Sequence, residues 1–394
     1  MGLYEKLGVR RVINACSTAT PLGGSIPDSR VMDAMSEASK QYVIMMELQN
    51  RAGDIIAKAT GAEAAMITAG AMSSLQLGAA VCLLRGSGLK NHTVKPYERL
   101  QPIDGPWREI IQRLPDTSMV RNEVIIQRSH RNPYEFAYRS MGCQVVHVGS
   151  AVECSPEELE AAISEKTAVI AFCAHREDRG VPFRKVLEIA HKHDVPVIID
   201  AAASVLPRSN LRKFASEGAD LVAISGGKQI KGPNDTGILC GRRDLVEMAK
   251  LQASPFNGVG RGMKVDRTQM VGLLVALEIF LEKGPEEEEA EFKSWYDRAS
   301  WIVEQMKDVQ GVALAEVSSS KPWEVRAMIT FDDSVSAQEL AFNLRKGDPS
   351  IWVETSMTGD TSLNQIGIAI DSLLEDEEEE IVTAIKELID NKYT

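Results

Sequence analysis

Continuous runs of apolar residues alternate with helix-like stretches between residues 64 and 225. The runs Val195-Pro-Val-Ile-Ile-Asp200 and Thr167-Ala-Val-Ile-Ala-Phe-Cys-Ala174 lack the every-other-residue polarity of a half-exposed strand. They therefore predict parallel strands that are buried on both faces. The stretch 184–193 between them predicts a helix. Because this order repeats along the chain, we expect an α/β fold with a doubly wound sheet.

Further strands of this sheet are predicted at 64–70, 122–127, 143–149, 219–225 and 236–241. The last of them follows its predecessor too closely for a helical crossover, so we expect it to pair antiparallel. The predicted sheet is thus mixed, seven-stranded and mostly parallel.

A smaller α+β domain is predicted at the carboxyl end of the chain. Its strands are expected near 323–332, 351–356 and 365–370, and its helices near 336–346 and 376–391. An amphipathic helix over about 266–281 precedes it. We therefore divide the chain into an N-terminal arm (1–50), a large domain (51–255), and an interdomain helix with the small domain (256–394).

The composition is that of a globular protein of two or three domains, with 394 residues, 44% hydrophobic and 25% charged. A net charge of −12 at pH 7 opposes nucleic-acid binding, which depends on clustered Lys and Arg. The six cysteines lack the spacing of a zinc site or a disulfide framework, so we expect free thiols and no metal. Without a signal peptide or a long apolar run, we expect a cytoplasmic protein and no membrane partner.

Two residues that suit pyridoxal phosphate (PLP) follow neighbouring predicted strands. Asp200 ends one apolar run, and Lys228 follows another in the sequence Ser225-Gly-Gly-Lys228. The carboxyl ends of parallel strands share one edge of a sheet, where α/β proteins bind ligands. A lysine amine can form a Schiff base with the PLP aldehyde, and a buried carboxylate can keep the pyridine nitrogen protonated. A turn-capping aspartate and a solvated loop lysine are the alternative.

The chain resembles fold-type-I PLP enzymes, in the branch of seryl-tRNA selenium transferase-like proteins and D-glucosaminate-6-phosphate ammonia-lyases. Three segments in the same order carry the resemblance: Val197-Ile-Ile-Asp-Ala-Ala-Ala203, Ala219-Asp-Leu-Val-Ala-Ile-Ser-Gly-Gly-Lys228 and Gly258-Val-Gly-Arg-Gly-Met-Lys-Val-Asp266. It implies the PLP-dependent transferase (aspartate aminotransferase) fold, pyridoxal 5'-phosphate as cofactor, and a homodimer or higher homo-oligomer. Gly227 departs from the pattern, because many relatives have a bulkier or polar residue there.

The resemblance also implies where the cofactor binds. The junction Gly70-Ala-Met-Ser73 offers backbone N–H groups at a helix N-terminus, which suit an anion. Its place in the family order assigns it the cofactor phosphate. The residues implied to contact the cofactor are Gly70, Ala71, Met72, Ser73, Ala202, Ser225, Lys228 and Arg261. The His130 ring is implied to lie on the pyridine ring.

Six polar residues are candidates for substrate binding: Arg131, Asn132, His175, Arg176, Gln49 and Thr18. The first four fall in loops at the predicted ligand edge of the sheet. The last two follow from the position of the N-terminal arm near the active site in the related enzymes. Solvated turn and cap residues are the alternative for each. The irregular stretch 86–121 is either a loop that shapes substrate choice or a surface insertion.

The predicted function is a PLP-dependent lyase of the β-elimination or ammonia-lyase type. Its substrate is expected to be a small polar or anionic amino acid or an amino-sugar acid, processed through a Lys228 Schiff base and an α-carbanion. The predicted catalytic residues are Lys228, Asp200 and His130. Aminotransfer, racemisation and aldol cleavage begin with the same carbanion and stay open. A PLP-binding protein without turnover is disfavoured by the intact Lys228.

Overall fold

The computed structural model describes residues 2–85, 111–355 and 364–393. Its strands are β1 Val12–Ala15, β2 Ala64–Thr68, β3 Glu123–Gln127, β4 Gln144–Val148, β5 Thr167–Cys173, β6 Val197–Asp200, β7 Leu221–Ser225, β8 Gly237–Gly241, β9 Val312–Ser319, β10 Val325–Phe331, β11 Ser350–Thr355 and β12 Gln365–Ala369. Its α-helices are α1 Leu3–Lys6, α2 Ser29–Ser39, α3 Met45–Thr60, α4 Gly70–Leu83, α5 Phe136–Ser140, α6 Pro156–Ala161, α7 Phe183–Lys192, α8 Asn210–Ser216, α9 Arg243–Gln252, α10 Arg267–Glu282, α11 Pro285–Met306, α12 Ala337–Lys346 and α13 Glu377–Tyr393. Of the irregular stretch 86–121, residues 86–110 lie outside the described residues.

One sheet has seven strands in the order β2-β8-β7-β6-β5-β3-β4. The strands β7, β6, β5, β3 and β4 pair in parallel, whereas β8 runs antiparallel to both β2 and β7. The predicted α/β fold with a mixed, mostly parallel seven-stranded sheet is confirmed. The antiparallel strand after Lys228 is confirmed as well.

The continuous apolar runs arise because helices cover both faces of this sheet. On one face, Ile198 and Leu221 belong to the same buried cluster as Leu75 and Leu77 of α4. On the other, Phe172 of β5 packs against Phe183 of α7, with ring centroids 5.1 Å apart. Successive side chains of a strand point to opposite faces, so a strand covered on both sides has no polar positions.

The chain folds as two compact units. One unit comprises 27–281 and contains the seven-stranded sheet; the other comprises 1–26 and 282–394. The second unit contains a five-stranded sheet in the order β1-β11-β12-β10-β9, with its own apolar core. In it β1 pairs parallel with β11, so this part of the N-terminal arm belongs to the smaller sheet. The division 1–50, 51–255 and 256–394 stays a prediction.

None of the helices in the described ranges is long and apolar enough to cross a membrane. Among the same residues, no group of His, Cys, Asp and Glu is arranged to hold a metal ion. All six cysteines are free, and burial raises the thiol pKa of Cys143 and of Cys240 to about 12. These buried thiols are therefore neutral and act as small apolar core residues.

Candidate active site

Strand register brings the predicted site residues to one edge of the seven-stranded sheet. Asp200 ends β6 opposite Cys173, the last residue of β5. The buried Ser225 ends β7 opposite Gly237 of β8, which lies opposite Thr68 at the end of β2. The loops after these strands therefore leave the sheet at the same edge, as predicted from the parallel order.

Asp200 is a partly exposed carboxylate whose Oδ1 accepts a hydrogen bond from the Ala202 N–H at 3.2 Å. Removal from bulk water raises the pKa of the Asp200 carboxyl above its usual range. That hydrogen bond and the charges of Lys228 and His175 oppose the rise. A cation placed against this carboxylate favours its ionised form. The position therefore suits a cationic partner such as a protonated pyridine nitrogen.

Lys228 lies in a tightly closed loop between β7 and β8. The Gly226 N–H donates to the Thr236 carbonyl at 2.8 Å. A Cβ on residue 227 would lie 2.3 Å from the Asn234 Cα, a distance that excludes any side chain. The departure of Gly227 from the family pattern thus has a local reason: the loop closes on the backbone of residue 227 and fixes the lysine that follows.

We expect Gly227→Ala to destabilise the protein by about 1–3 kcal/mol, because the added Cβ must displace the backbone of Asn234. Thermal unfolding of the cofactor-free protein measures the effect. Gly262→Ala is the matched control, since a Cβ there meets nothing within 4 Å. Equal melting temperatures for the two variants would show that the loop around Lys228 is not closed in this way.

The N-terminus of α4 forms a cradle for an anion beside this loop. Gly70 begins the helix in the left-handed region at φ +78°, and no side chain caps the helix. A Cβ on the buried Gly237 would lie 2.4 Å from the Gly70 carbonyl carbon, so β8 packs directly against the backbone at the start of this helix, whereas a Cβ on Gly70 would meet nothing within 4 Å. Ala71 and Met72 are partly exposed, while the buried Ser73 donates its hydroxyl to the Ala69 carbonyl at 2.7 Å. This geometry supports the predicted phosphate role of residues 70–73.

The loop 258–264 packs against the same helix. A Cβ on Gly260 would lie 2.7 Å from the Leu77 Cδ2, and the Gly260 N–H donates to the Gln252 carbonyl at 2.8 Å. Arg261 is partly exposed and Lys264 is exposed. Within the described ranges, neither side chain has a hydrogen bond or an ion pair. Both cations are thus available for an anion, and their phosphate role stays a prediction.

His130 is only 1% exposed, and both of its ring nitrogens bind backbone atoms. Nδ1 accepts a hydrogen bond from the Cys173 N–H at 3.2 Å, so Nε2 carries the proton and donates to the Arg179 carbonyl at 2.9 Å. Burial lowers the pKa of the His130 imidazole. A neutral ring held at both nitrogens is suited to stacking rather than to proton transfer. The stacking on PLP stays a prediction.

A small cavity lies beside the Asp200 carboxylate. The residues lining it are Leu75, Ile126, His130, Asn132, Tyr134, Glu135, Tyr138, Ala171, Phe172, Cys173 and Asp200. Its polar lining residues come from 130–138 and from the ends of β5 and β6, whereas Leu75, Ile126, Ala171 and Phe172 are its aliphatic and aromatic lining residues. Burial and the charge of Asp200 raise the pKa of Cys173 to about 11, so a neutral thiol faces the carboxylate.

Of the two neighbouring substrate candidates, the structure brings Asn132 to this cavity. Its Oδ1 accepts the Tyr134 N–H at 2.8 Å. The Arg131 side chain is 53% exposed, and its Nε donates to Glu135 at 3.2 Å. Arg131 is therefore absent from the cavity wall, although it neutralises a carboxylate that lines it.

The candidates after β5 lie in a loop that other residues hold in place. His175 is exposed, and its charge reaches Asp200. Arg176 is partly exposed and donates from Nη1 to the Ser129 carbonyl at 3.2 Å. Both remain candidates for a substrate anion.

The two substrate candidates from the N-terminal region, Gln49 and Thr18, lie in different units of the chain. The Gln49 amide donates to the Ile67 carbonyl at 2.7 Å and accepts the Ile67 N–H at 2.9 Å, which ties α3 to β2. Thr18 follows β1 in the smaller unit, in a loop where Asn14 Nδ2 donates to the Ser17 carbonyl at 2.8 Å. Their substrate roles stay predictions.

Gln127 is a positioning residue that sequence reasoning missed. It is 1% exposed at the end of β3, and its Oε1 accepts the Val181 N–H at 2.6 Å. It thereby holds the end of the loop that carries His175 and Arg176. The one signal in the sequence was a glutamine that closes an apolar strand, and strand ends are often polar for other reasons.

Comparison with known proteins assigns this site to a family. The model of the aminotransferase class-V family matches residues 124–333, which is more than half of the chain. The chain belongs to the class-V aminotransferase family. The predicted fold-type-I relationship is confirmed, and the chain is a PLP-dependent enzyme.

Two curated proteins align along most of this class-V chain. A Streptomyces protein named 5'-C-glycyluridine monooxygenase-decarboxylase is 30% identical over 399 residues, covering 98% of this chain and 92% of its own length. The D-glucosaminate-6-phosphate ammonia lyase of Salmonella typhimurium is 28% identical over 358 residues, covering 89% and 88%. A solved structure of D-glucosaminate-6-phosphate ammonia-lyase superposes with a TM-score of 0.81 at 26% identity, over 100% of both chains.

The residues present at the site fit PLP. The α4 N-terminus, where the space at Gly70 leaves room for an anion, suits the phosphate, and Asp200 suits the ring nitrogen. Lys228 follows the strand next to that of Asp200, its charge acts on that carboxyl, and its amine suits the aldehyde. The fold thus adds an anion-binding helix N-terminus to the two predicted residues, Asp200 and Lys228.

Proposed function

We propose that this class-V enzyme is a PLP-dependent lyase that releases ammonia from an amino-sugar acid or a small anionic amino acid. The observation that carries the proposal is the placement of Asp200, Lys228 and the α4 N-terminus at one sheet edge. The full-length similarity to a structure of D-glucosaminate-6-phosphate ammonia-lyase supports the reaction type and the substrate class.

Bound PLP supplies the electron sink that makes the α-proton of an amino acid removable. In this proposal the Lys228 Nζ would hold the cofactor aldehyde, and the amine would also be placed to take the substrate α-proton and to give a proton to the leaving group. Asp200 would hold the proton on the pyridine nitrogen, and the neutral His130 ring would cover one face of the pyridine ring.

The charges around the site favour an anionic substrate. Arg176 has guanidinium nitrogens beyond the one bound to Ser129, and Arg261 is available within the described residues. Arg128 and Arg131 are exposed at the same loop segment. Arginine binds carboxylate and phosphate through paired hydrogen bonds. This supports a substrate with a carboxylate and a second anion.

An oxygen-dependent decarboxylation is the second candidate. It is favoured by the similarity to the Streptomyces monooxygenase-decarboxylase, which extends over 98% of this chain. It differs from the lyase in consuming O₂ and releasing CO₂. Aminotransfer, racemisation and aldol cleavage all break a bond to the α-carbon. Their products distinguish them from the lyase.

A cytoplasmic homodimer or higher homo-oligomer is also part of the proposal. Exposed apolar side chains in two stretches of the chain support a second copy as partner: Leu3, Tyr4 and Leu7, and Tyr42, Val43 and Ile44. Exposed apolar side chains that lie together on a surface often belong to a protein interface. Light scattering coupled to size exclusion measures the oligomeric state.

The lyase is tested with a panel of phosphorylated and hydroxylated amino acids and amino-sugar acids, without an amino acceptor. We expect ammonia and a keto acid in equal amounts, formed equally with and without O₂. Lyase chemistry needs no second substrate, so product should accumulate over many turnovers.

Other products of this assay would contradict the lyase. Pyridoxamine phosphate formed once per site without ammonia identifies an aminotransferase. CO₂ release that requires O₂ identifies the decarboxylase. Exchange of the α-proton with neither product identifies a racemase.

A further inference from the structure

Gln229 connects the loop that carries Lys228 to the turn that follows Asp200. Its Oε1 accepts the Val205 N–H at 2.8 Å and the Leu206 N–H at 3.2 Å. Val205 is 1% exposed and Leu206 is 7% exposed. A single side-chain oxygen therefore satisfies two buried backbone donors on the neighbouring loop.

The turn after Asp200 also has hydrogen bonds that do not involve Gln229, such as the one that Asn210 Nδ2 donates to the Leu206 carbonyl at 2.7 Å. The Ala201 N–H donates to the Ala223 carbonyl at 2.9 Å, and the Ser204 N–H donates to the Ala201 carbonyl at 3.1 Å. These bonds fix the first residues of the turn to β7 and to each other. Its far end, at Val205 and Leu206, is held to the lysine loop by Gln229.

The lysine loop is rigid on its own side. Gly226 and Gly227 have no space for a side chain, and the Lys231 N–H donates to the Lys228 carbonyl at 2.9 Å. Gln229, the residue after the lysine, thus holds the turn that follows Asp200 at a fixed position relative to the lysine loop. Buried N–H groups that lose their acceptor must find water or move.

We propose that Gln229 is a positioning residue that fixes the distance between the cofactor-binding lysine and the carboxylate that faces the pyridine nitrogen. This rests on the proposed function, in which Lys228 holds PLP covalently and Asp200 pairs with the ring. Gln229 acts through these two residues and touches neither of the reacting atoms. The charge of Lys228 acts on Asp200, where it opposes the rise that burial causes in the pKa of that carboxyl.

The test compares Gln229→Ala, Gln229→Glu and Gln76→Ala with wild type. Gln229→Glu keeps the length of the side chain and an acceptor oxygen at its end. Gln76 is the matched control: it is a half-buried glutamine whose Nε2 donates to the Ser140 Oγ at 2.8 Å, away from both loops. The readouts are the visible-absorbance titration of the lysine–cofactor linkage, the PLP dissociation constant and the melting temperature without cofactor.

For Gln229→Ala we expect PLP to bind roughly tenfold more weakly, as for the loss of a hydrogen-bond acceptor at buried donors. We also expect the titration of the linkage to move to lower pH, because Asp200 is held less closely. Gln229→Glu should restore PLP affinity. Gln76→Ala should leave both the affinity and the titration at wild-type values.

Two results would overturn the inference. If Gln229→Ala has wild-type PLP affinity and titration but a lower melting temperature, Gln229 only stabilises the fold. If borohydride reduction of the wild type attaches PLP to a residue other than Lys228, the proposed function and the inference both fail. If PLP is attached at Lys228 and Gln229→Ala keeps wild-type PLP affinity and titration, the inference about Gln229 fails but the proposed function stands.

Discussion

Lys228→Ala is expected to lose nearly all turnover while keeping its fold. The variant lacks both the amine that binds the PLP aldehyde and the base nearest the substrate α-carbon. General acid–base catalysis alone typically contributes roughly 10²–10⁴-fold, so the loss in kcat should be at least that large. The side chain is partly exposed in a loop closed by backbone bonds, so its removal should leave the melting temperature without cofactor unchanged.

The measurement is kcat for ammonia release, together with the visible band that borohydride abolishes in wild type. Lys166→Ala is the matched control, because Lys166 is an exposed lysine just before β5, at the opposite end of that strand from Cys173. A Lys228→Ala variant with wild-type turnover and a reducible band would move the covalent role to another lysine.

The inner strands of the large sheet could be predicted because helices cover both of their faces. Every residue of β5 and β7 is buried, so the sequence shows an unbroken apolar run. The strand β9 was missed for the opposite reason: it is an edge strand of the smaller sheet, and no residue of it is fully buried. An exposed edge strand has no pattern that separates it from a loop.

Some helix ends are readable in the sequence because a local cap sets them. Gly61 ends α3 in the left-handed region at φ +73°, as expected of a C-terminal glycine. Ser155 and Glu158 form a capping box at the start of α6, a pattern visible in the sequence, with the Glu158 N–H donating to Ser155 Oγ at 3.1 Å. The end of that helix at Ala161 has no glycine or other capping signal in the sequence.

Some residues of the candidate site could also be predicted from the sequence, and others could not. Asp200 and Lys228 were found because a charged residue at the end of a buried strand is unusual in the sequence alone. The contacts of Gln229 with Val205, and of Gln127 with Val181, join loops that are far apart along the chain. Such partners are fixed by strand order, so only the fold shows that these two glutamines hold the site together.

Asp200→Asn is expected to slow turnover by about a hundred- to several-thousandfold. Removing one partner of a buried charge pair typically costs about 3–5 kcal/mol, and each 1.36 kcal/mol is tenfold in rate. Asparagine has nearly the same shape, so the Ala202 N–H keeps an acceptor and the turn should persist. Unchanged kinetics would mean that Asp200 does not face the pyridine nitrogen.

In the cofactor-free protein, Asp200→Asn should increase the free energy of unfolding relative to wild type at neutral pH. Burial raises the folded-state pKa of Asp200, so the native state binds this proton more readily than the unfolded chain does. The free energy of unfolding of wild type therefore falls as pH rises from the ordinary carboxyl value, about 4, through the raised one. Asp200→Asn lacks this loss, and its stability relative to wild type should increase from acid to neutral pH.

Asp116→Asn supplies a control of opposite sign. The Ser118 N–H donates to the exposed Asp116 at 3.0 Å and lowers the pKa of its carboxyl, so its contribution to stability is present above the unfolded pKa and is lost in acid. Denaturant unfolding across the acid-to-neutral range measures both profiles. Bound PLP should abolish the advantage of Asp200→Asn, because a protonated pyridine nitrogen stabilises the ionised carboxylate. Parallel profiles for wild type and Asp200→Asn without PLP would show that this carboxylate is not withdrawn from water.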